Sequence, residues 1–245
     1  HAPEPENTDT AIYFLHGSGY AMCSPRTHRR LTSWLSALTG LPVFCLDYRL
    51  APRHRFPTAA DDVHAGWDWL GWRHGLTAER IAVAGDSAGG HLAVDLLCHG
   101  NRPRPAALVL FSPLADLTFA ASRTRERLRP DPAIRADDAA RLVGLYCRRT
   151  DPAHPRLAHD IAAAQPFPPT LIQAGGAEML AADAHLLADA ITAGGGSCEL
   201  QIWPDQVHVF QALPRLSPEA AAAMTVAARF LTAALNAERA DTSIA

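Results

Sequence analysis

Lysine is missing from this chain of 245 residues: all 22 basic residues are arginine, scattered along its length against 25 acidic ones, for a net charge of −3. That balance excludes the dense basic patch that nucleic-acid binding needs, and the arginine bias reads as codon usage in a GC-rich genome. Cysteine is sparse. Cys23, Cys45, Cys98, Cys147 and Cys198 are far apart, odd in number and never in a Cys-x-x-Cys pair, which excludes a zinc knuckle and a disulfide framework. Reduced thiols and a cytoplasmic location are the expectation. No run approaches the roughly 18–20 apolar residues of a membrane span, and no secretory leader is visible.

What is present is globular in kind, with 48% hydrophobic and 19% charged residues. The length suits a single domain, 1–245, with a substantial core. Residues 1–9 are polar and proline-bearing, expected to form a flexible lead-in. Beyond them, short apolar runs alternate with helical periodicity. Strands are predicted at Thr10–Leu15, Val43–Leu46, Ile81–Ala84, Ala106–Phe111, Thr170–Ala174 and Glu199–Trp203. Helices are predicted from Pro25 to the stop at Gly40, over Thr58–His74, Gly90–Cys98 and Ala181–Ala193, and from Pro218 to about Asn236. Strand–helix alternation implies an α/β fold, a mostly parallel sheet flanked by helices. Residues 116–166 break the pattern with dense arginine, aspartate and proline. This stretch is too long for a connection and reads as a small cap-like insert with one amphipathic helix near Asp137–Cys147. Ligands of such sheets bind beyond the carboxyl ends of the strands. The polar motifs at 16–20, 47–52, 85–90, 175–183 and 204–210 each follow a predicted strand, so they point to one site.

The central motif is Gly85-Asp86-Ser87-Ala88-Gly89, between a strand and a helix. This is a nucleophile elbow: a strained turn that exposes the serine hydroxyl, with glycines where a Cβ would clash. The same residues also describe a plain turn with Ser87 as an N-cap, so partners decide. A serine needs an adjacent base, and His208 lies in the loop between the last strand and the last helix. The base needs an orienting carboxylate. Glu178 directly follows a strand in a glycine-opened loop and is preferred. Asp183 reads as a first-turn partner of a helix dipole, and Asp205 as a loop carboxylate facing water. The oxyanion needs amide donors: Ala88 supplies one, and His16-Gly17-Ser18-Gly19 the others if its backbone turns toward the serine. Asp86 is expected to tie down that loop, Asp47 and Arg49 to brace a turn, and Asp61 and Asp62 to sit in a helix first turn.

These motifs resemble those of the hormone-sensitive lipase family of α/β-hydrolases. His16-Gly17-Ser18-Gly19-Tyr20 is similar to its His-Gly-Gly-Gly-aromatic motif, Asp47-Tyr48-Arg49-Leu50-Ala51-Pro52 to its Asp-Tyr-Arg-Leu-Ala-Pro block, and Gly85–Gly90 to its elbow. The order Ser87, Glu178, His208 is that of the α/β-hydrolase triad. The resemblance implies hydrolysis of short- to medium-chain esters without cofactor or metal, beneath a helical cap, with the amides of Ser18, Gly19 and Ala88 as oxyanion donors and Gly17 shaping the turn. Three departures stand out: serine at 18 in place of glycine, glutamate at 178 where aspartate is commoner, and a shortened N-terminal region that predicts a more open pocket. Tyr20, Met22, Trp203 and Phe210 are candidate pocket walls. The expected partner is a small-molecule ester, with neither nucleic acid nor a membrane span, and a homodimer is left open. An amidase or acyltransferase would use the same triad; a non-catalytic binding protein would not need its histidine and acid both in place.

Overall fold

The computed structural model describes residues 9–100, 102–214 and 216–242; most of the expected lead-in lies outside them. Six strands, β1 (Ala11–Leu15), β2 (Val43–Cys45), β3 (Ile81–Asp86), β4 (Ala107–Phe111), β5 (Thr170–Gly175) and β6 (Cys198–Trp203), form one sheet in the order β2-β1-β3-β4-β5-β6. Every neighbouring pair is parallel. The connecting helices are α1 (Pro25–Thr39), α2 (Thr58–His74), α3 (Ala88–Cys98), α4 (Ala120–Leu128), α5 (Ala136–Cys147), α6 (Ala181–Ala193) and α7 (Glu219–Thr242). This is the α/β-hydrolase architecture expected from the sequence.

Residue alternation within the strands divides the core in two. From β1, Ala11, Tyr13 and Leu15 join the cluster that also holds Val63 and Leu70 of α2, Leu92 and Leu96 of α3, and Leu187 of α6. Ile12 and Phe14 face the opposite cluster, with Leu31 and Leu35 of α1 and Met224, Ala227 and Leu231 of α7. Strands buried on both faces read as continuous apolar runs, which is why they were legible. Strand bounds differ from expectation by a residue or two, within ordinary end variation.

Two expectations change. The insert carries two helices, not one. The additional helix, α4, has the sequence Ala-Ala-Ser-Arg-Thr-Arg-Glu-Arg-Leu and one buried residue, Ser122. Residue propensity favours it, but it has no apolar stripe for periodicity to detect. Second, within α7 the 19 residues Glu219–Ala237 have mean hydropathy 1.3, so length and composition would allow a span. Met224, Ala227, Ala228, Leu231 and Leu235 instead pack into the sheet-side core, as expected of the core helix of a doubly covered sheet.

Candidate active site

Ser87 occupies the single residue between β3 and α3, with φ 50° and ψ −121°. A non-glycine residue there stores on the order of 1–3 kcal/mol of strain. Its neighbours impose it: Ser87 N–H donates to Phe111 O at 3.0 Å, while Ser87 O accepts from Gly90 N at 2.9 Å and Leu114 N at 3.0 Å. The elbow closes only around glycine, since a Cβ on Gly85 would lie 2.8 Å from Gly89 O.

The preferred acid and base meet. His208 Nδ1 lies 2.5 Å from Glu178 Oε2. Because a carboxylate only accepts, Nδ1 carries the proton and Nε2 is left free to accept one. Glu178 is fully buried; its other oxygen accepts from Gly175 N–H at 2.6 Å and from the Ser112 hydroxyl at 2.7 Å. Burial alone would lower the pKa of His208, but the hydrogen bond and negative charge of Glu178 outweigh it and raise the value. Ser87 and His208 line one cavity of roughly 540 Å³. Among the described hydrogen bonds none joins Ser87 Oγ to the ring; the two groups share the cavity wall.

The rival acids separate cleanly. Asp205 is 82% exposed and pairs with Arg129 at 2.6 Å. Asp183 does stand in the first turn of α6, yet it is buried and is no mere dipole partner. Its carboxylate accepts from the amides of Ala115 and Asp116, both at 2.9 Å, and from the Ser122 hydroxyl at 2.9 Å.

The loop after β1 is pinned beside the elbow. Gly17 N–H donates to Asp86 Oδ1 at 3.0 Å, so that amide is spent. A Cβ at Gly17 would meet Ser87 Cβ at 2.9 Å and run into the Asp86 carboxylate. Asp86 therefore holds the loop as expected, and it also meets His28 Nε2 at 3.3 Å. His28 itself is raised: burial opposes its charge, and the Asp86 hydrogen bond and charge overcome that. Ser18 has φ 91° and Gly19 φ 59°, so the serine stands where a glycine would be unstrained. Both line the cavity. Among the described hydrogen bonds, none uses the amides of Ser18, Gly19 or Ala88. In the second motif it is Tyr48 that braces this loop, donating to His16 O at 2.7 Å while its ring stacks on that of His16 at 4.2 Å. Arg49 pairs with Asp62 at 2.6 Å and not with Asp47, so Asp62 does more than serve a helix dipole.

Of the candidate pocket walls, only Met22 lines the cavity, half exposed at its edge. Tyr20 is fully buried, stacked on Tyr146 at 4.3 Å and edge-on to His91. Phe210 is likewise buried and packs with Trp203, away from the cavity lining. The apolar lining comes instead from Leu114, Phe119, Ile134, Leu142, Val143 and Leu180.

Several supporting residues gave no signal in the sequence. Ser112 bridges the site: besides donating to Glu178, it accepts from Val209 N–H at 3.0 Å and so joins the acid loop to the histidine loop. From α4, Arg125 donates to Gly176 O at 2.6 Å and Glu178 O at 2.8 Å. Asp131 accepts from Met179 N–H at 2.8 Å. These contacts are formed only by folding, across more than 45 residues of chain.

Residues 12–212 match the family described as the alpha/beta hydrolase fold. The chain is 36% identical over 232 residues to the carboxylesterase/phospholipase LipF of Mycobacterium tuberculosis, covering 90% of this chain and 61% of LipF. It is 37% identical over 223 residues to the esterase LipU of the same organism, covering 88% and 75%. A crystal structure of an esterase from the bacterial hormone-sensitive lipase family superposes with TM-score 0.88 at 34% identity, over 95% of this chain and 79% of that one. The chain belongs to the hormone-sensitive lipase family of α/β-hydrolases. It spans somewhat under two thirds of LipF.

Proposed function

We propose that this chain hydrolyses short- to medium-chain carboxylic esters through an acyl-enzyme, with Ser87 as nucleophile, His208 as base and Glu178 as the orienting acid. The observation that carries the reading is the 2.5 Å Glu178–His208 contact at the wall of the cavity that Ser87 enters from its strained elbow. Ser87 Oγ attacks the ester carbonyl carbon as its proton passes to His208 Nε2. The tetrahedral oxyanion takes the amides of Ser18, Gly19 and Ala88, which have no other partner among the described hydrogen bonds; one such donor is worth about 2.7–4 kcal/mol. His208 returns the proton to the departing alkoxide as the C–O bond breaks. It then takes a proton from water as the water oxygen attacks the acyl carbon, and passes that proton to Ser87 Oγ as the Oγ–acyl bond breaks, releasing the acid and free Ser87. The apolar wall supports an alkyl acyl chain, and residues 116–166, which supply Phe119, Ile134, Leu142 and Val143 to that wall, act as the cap. The relatives' names, carboxylesterase and esterase, favour the same reaction class.

Hydrolysis of p-nitrophenyl acetate, butyrate and octanoate by wild type and Ser87→Ala tests this. The variant is expected to fold, lose turnover and lose labelling by a fluorophosphonate. Turnover retained in Ser87→Ala would remove the serine from the mechanism.

A further inference from the structure

We propose that the C-terminal end of α3 and the segment 155–159 form a binding site for one divalent transition-metal ion, of the Zn²⁺ or Co²⁺ class. Among the described residues, Asp95, His99 and His159 form one group whose ligand atoms all lie within 4.8 Å of one another. His99 Nε2 and His159 Nδ1 are 3.4 Å apart, and Pro155 O lies 3.0 Å from the first and 3.2 Å from the second. Asp95 Oδ1 is 4.0 Å from His99 Nε2. Donors about 2.0–2.2 Å from a common ion stand about 3.0–3.5 Å from each other, so three of the four already have that spacing, and the carboxylate, 4.0 Å from His99 Nε2 in a group that spans up to 4.8 Å, must move inward.

Two rings at the cluster each keep one nitrogen that no protein group satisfies. His159 Nε2 and His91 Nδ1 are buried without a hydrogen-bond partner, and their rings lie 4.4 Å apart. With Nε2 unpaired, His159 meets the neighbouring polar groups through Nδ1, the nitrogen that faces the cluster.

The donor set also selects the ion. Arg156 donates to Asp95 at 2.9 Å and 3.1 Å and to Asp61 at 2.7 Å. It orients the carboxylate as an outer partner, together with His64, whose Nε2 lies 3.1 Å from Asp95 Oδ2. Two imidazoles with two oxygens favour zinc, cobalt or nickel over magnesium or calcium. Asp95 and His99 stand at the far end of α3 from Ser87, and neither they nor His159 line its cavity, so the ion fastens the insert to α3 and takes no part in acyl transfer.

The test is titration of chelator-dialysed protein, without a polyhistidine tag, with CoCl₂ by visible absorption and with ZnCl₂ by calorimetry. One equivalent of each is expected to bind, with d–d bands of nitrogen–oxygen ligation and a higher Tm, while MgCl₂ changes nothing. His99→Ala and His159→Ala are expected to weaken zinc binding about tenfold or more, as even outer-partner losses do. The exposed His185→Ala should bind as wild type. If an alanine variant does not fold, His159→Gln replaces it. A wild type without cobalt bands, or equal zinc affinity in wild type and folded His99 and His159 variants, overturns the site; ester turnover is read separately and bears only on the Ser87 mechanism.

Discussion

Exchanging Glu178 for glutamine tests the arrangement at the buried end of the site. The two residues have the same shape, so packing is preserved and the hydrogen-bond inventory decides the outcome. Oε1 of Glu178 accepts from Gly175 N–H at 2.6 Å and from Ser112 at 2.7 Å. The Gly175 amide can only donate, and the Ser112 oxygen is already engaged by Val209 N–H. The glutamine must therefore keep its oxygen on that side and turn its NH₂ toward His208 Nδ1. Facing a donor, the ring takes the other tautomer, with Nε2 protonated and unable to accept from Ser87. The same acid-to-amide exchange in Ser-His-Asp hydrolases lowers kcat about 10⁴-fold, and four powers of ten correspond to about 5.4 kcal/mol of barrier. The assay is p-nitrophenyl butyrate turnover from pH 5 to 9, with Tm to confirm folding. Asp205→Ala, at an exposed position, serves as comparison and is expected within about twofold of wild type, as surface substitutions usually are. A folded Glu178→Gln enzyme keeping a tenth or more of wild-type kcat, or Asp205→Ala losing more, would refute the reasoning.

Other outcomes follow from the same geometry. Because Glu178 raises His208 above the ordinary 6.5, kcat/KM is expected to fall as pH drops through a value above 6.5, and that midpoint should move down in Glu178→Gln. The accompanying linkage has the opposite sense: stability from the protonated pair is full below about pH 6.5 and is lost as pH rises through the folded-state value. Urea unfolding at several pH values measures it. Ser112→Ala leaves the Val209 amide without its acceptor and removes a donor from Glu178; a loss of about 1–3 kcal/mol is expected by urea unfolding, with kcat reduced more than KM is raised. Arg125→Ala strips two carbonyls of the acid loop of their donor; Tm and kcat should both fall, and an unchanged kcat would show that the loop stands without the insert.

The parts that were legible in the sequence share a physical cause: each is dictated locally. A strand buried on both faces must be an apolar run, and Ile12 and Phe14 alternate with Tyr13 and Leu15 because two cores need filling. An elbow that passes through φ 50° at Ser87 must have glycine beside it, so the motif is visible before any contact is known. Glu178 and His208 were recognisable by their place after strands. What stayed hidden is decided by distant partners. Asp183 looks like a helix first-turn acid, and only the approach of residues 115, 116 and 122 makes it a buried clasp. Tyr20 and Phe210 carry aromatic rings of the right kind next to the right motifs, yet both are core residues, because proximity along the chain does not fix which way a ring turns. The arginine-rich stretch after Asp116 reads as solvent-facing charge, but Arg125 ends on the carbonyls of Gly176 and Glu178. That contact changes the meaning of the insert. The acid loop accepts hydrogen bonds from Arg125 of α4 on two carbonyls, donates one from Met179 N–H to Asp131, and accepts one from Ser112 of the loop after β4 on the Glu178 carboxylate, so three segments hold the loop that carries the acid. Insert residues also wall the cavity through Phe119, Leu142 and Val143. A change in the insert that moves Arg125 or Asp131 while reshaping the wall will therefore also disturb the loop that carries Glu178, so selectivity and rate are coupled through the insert.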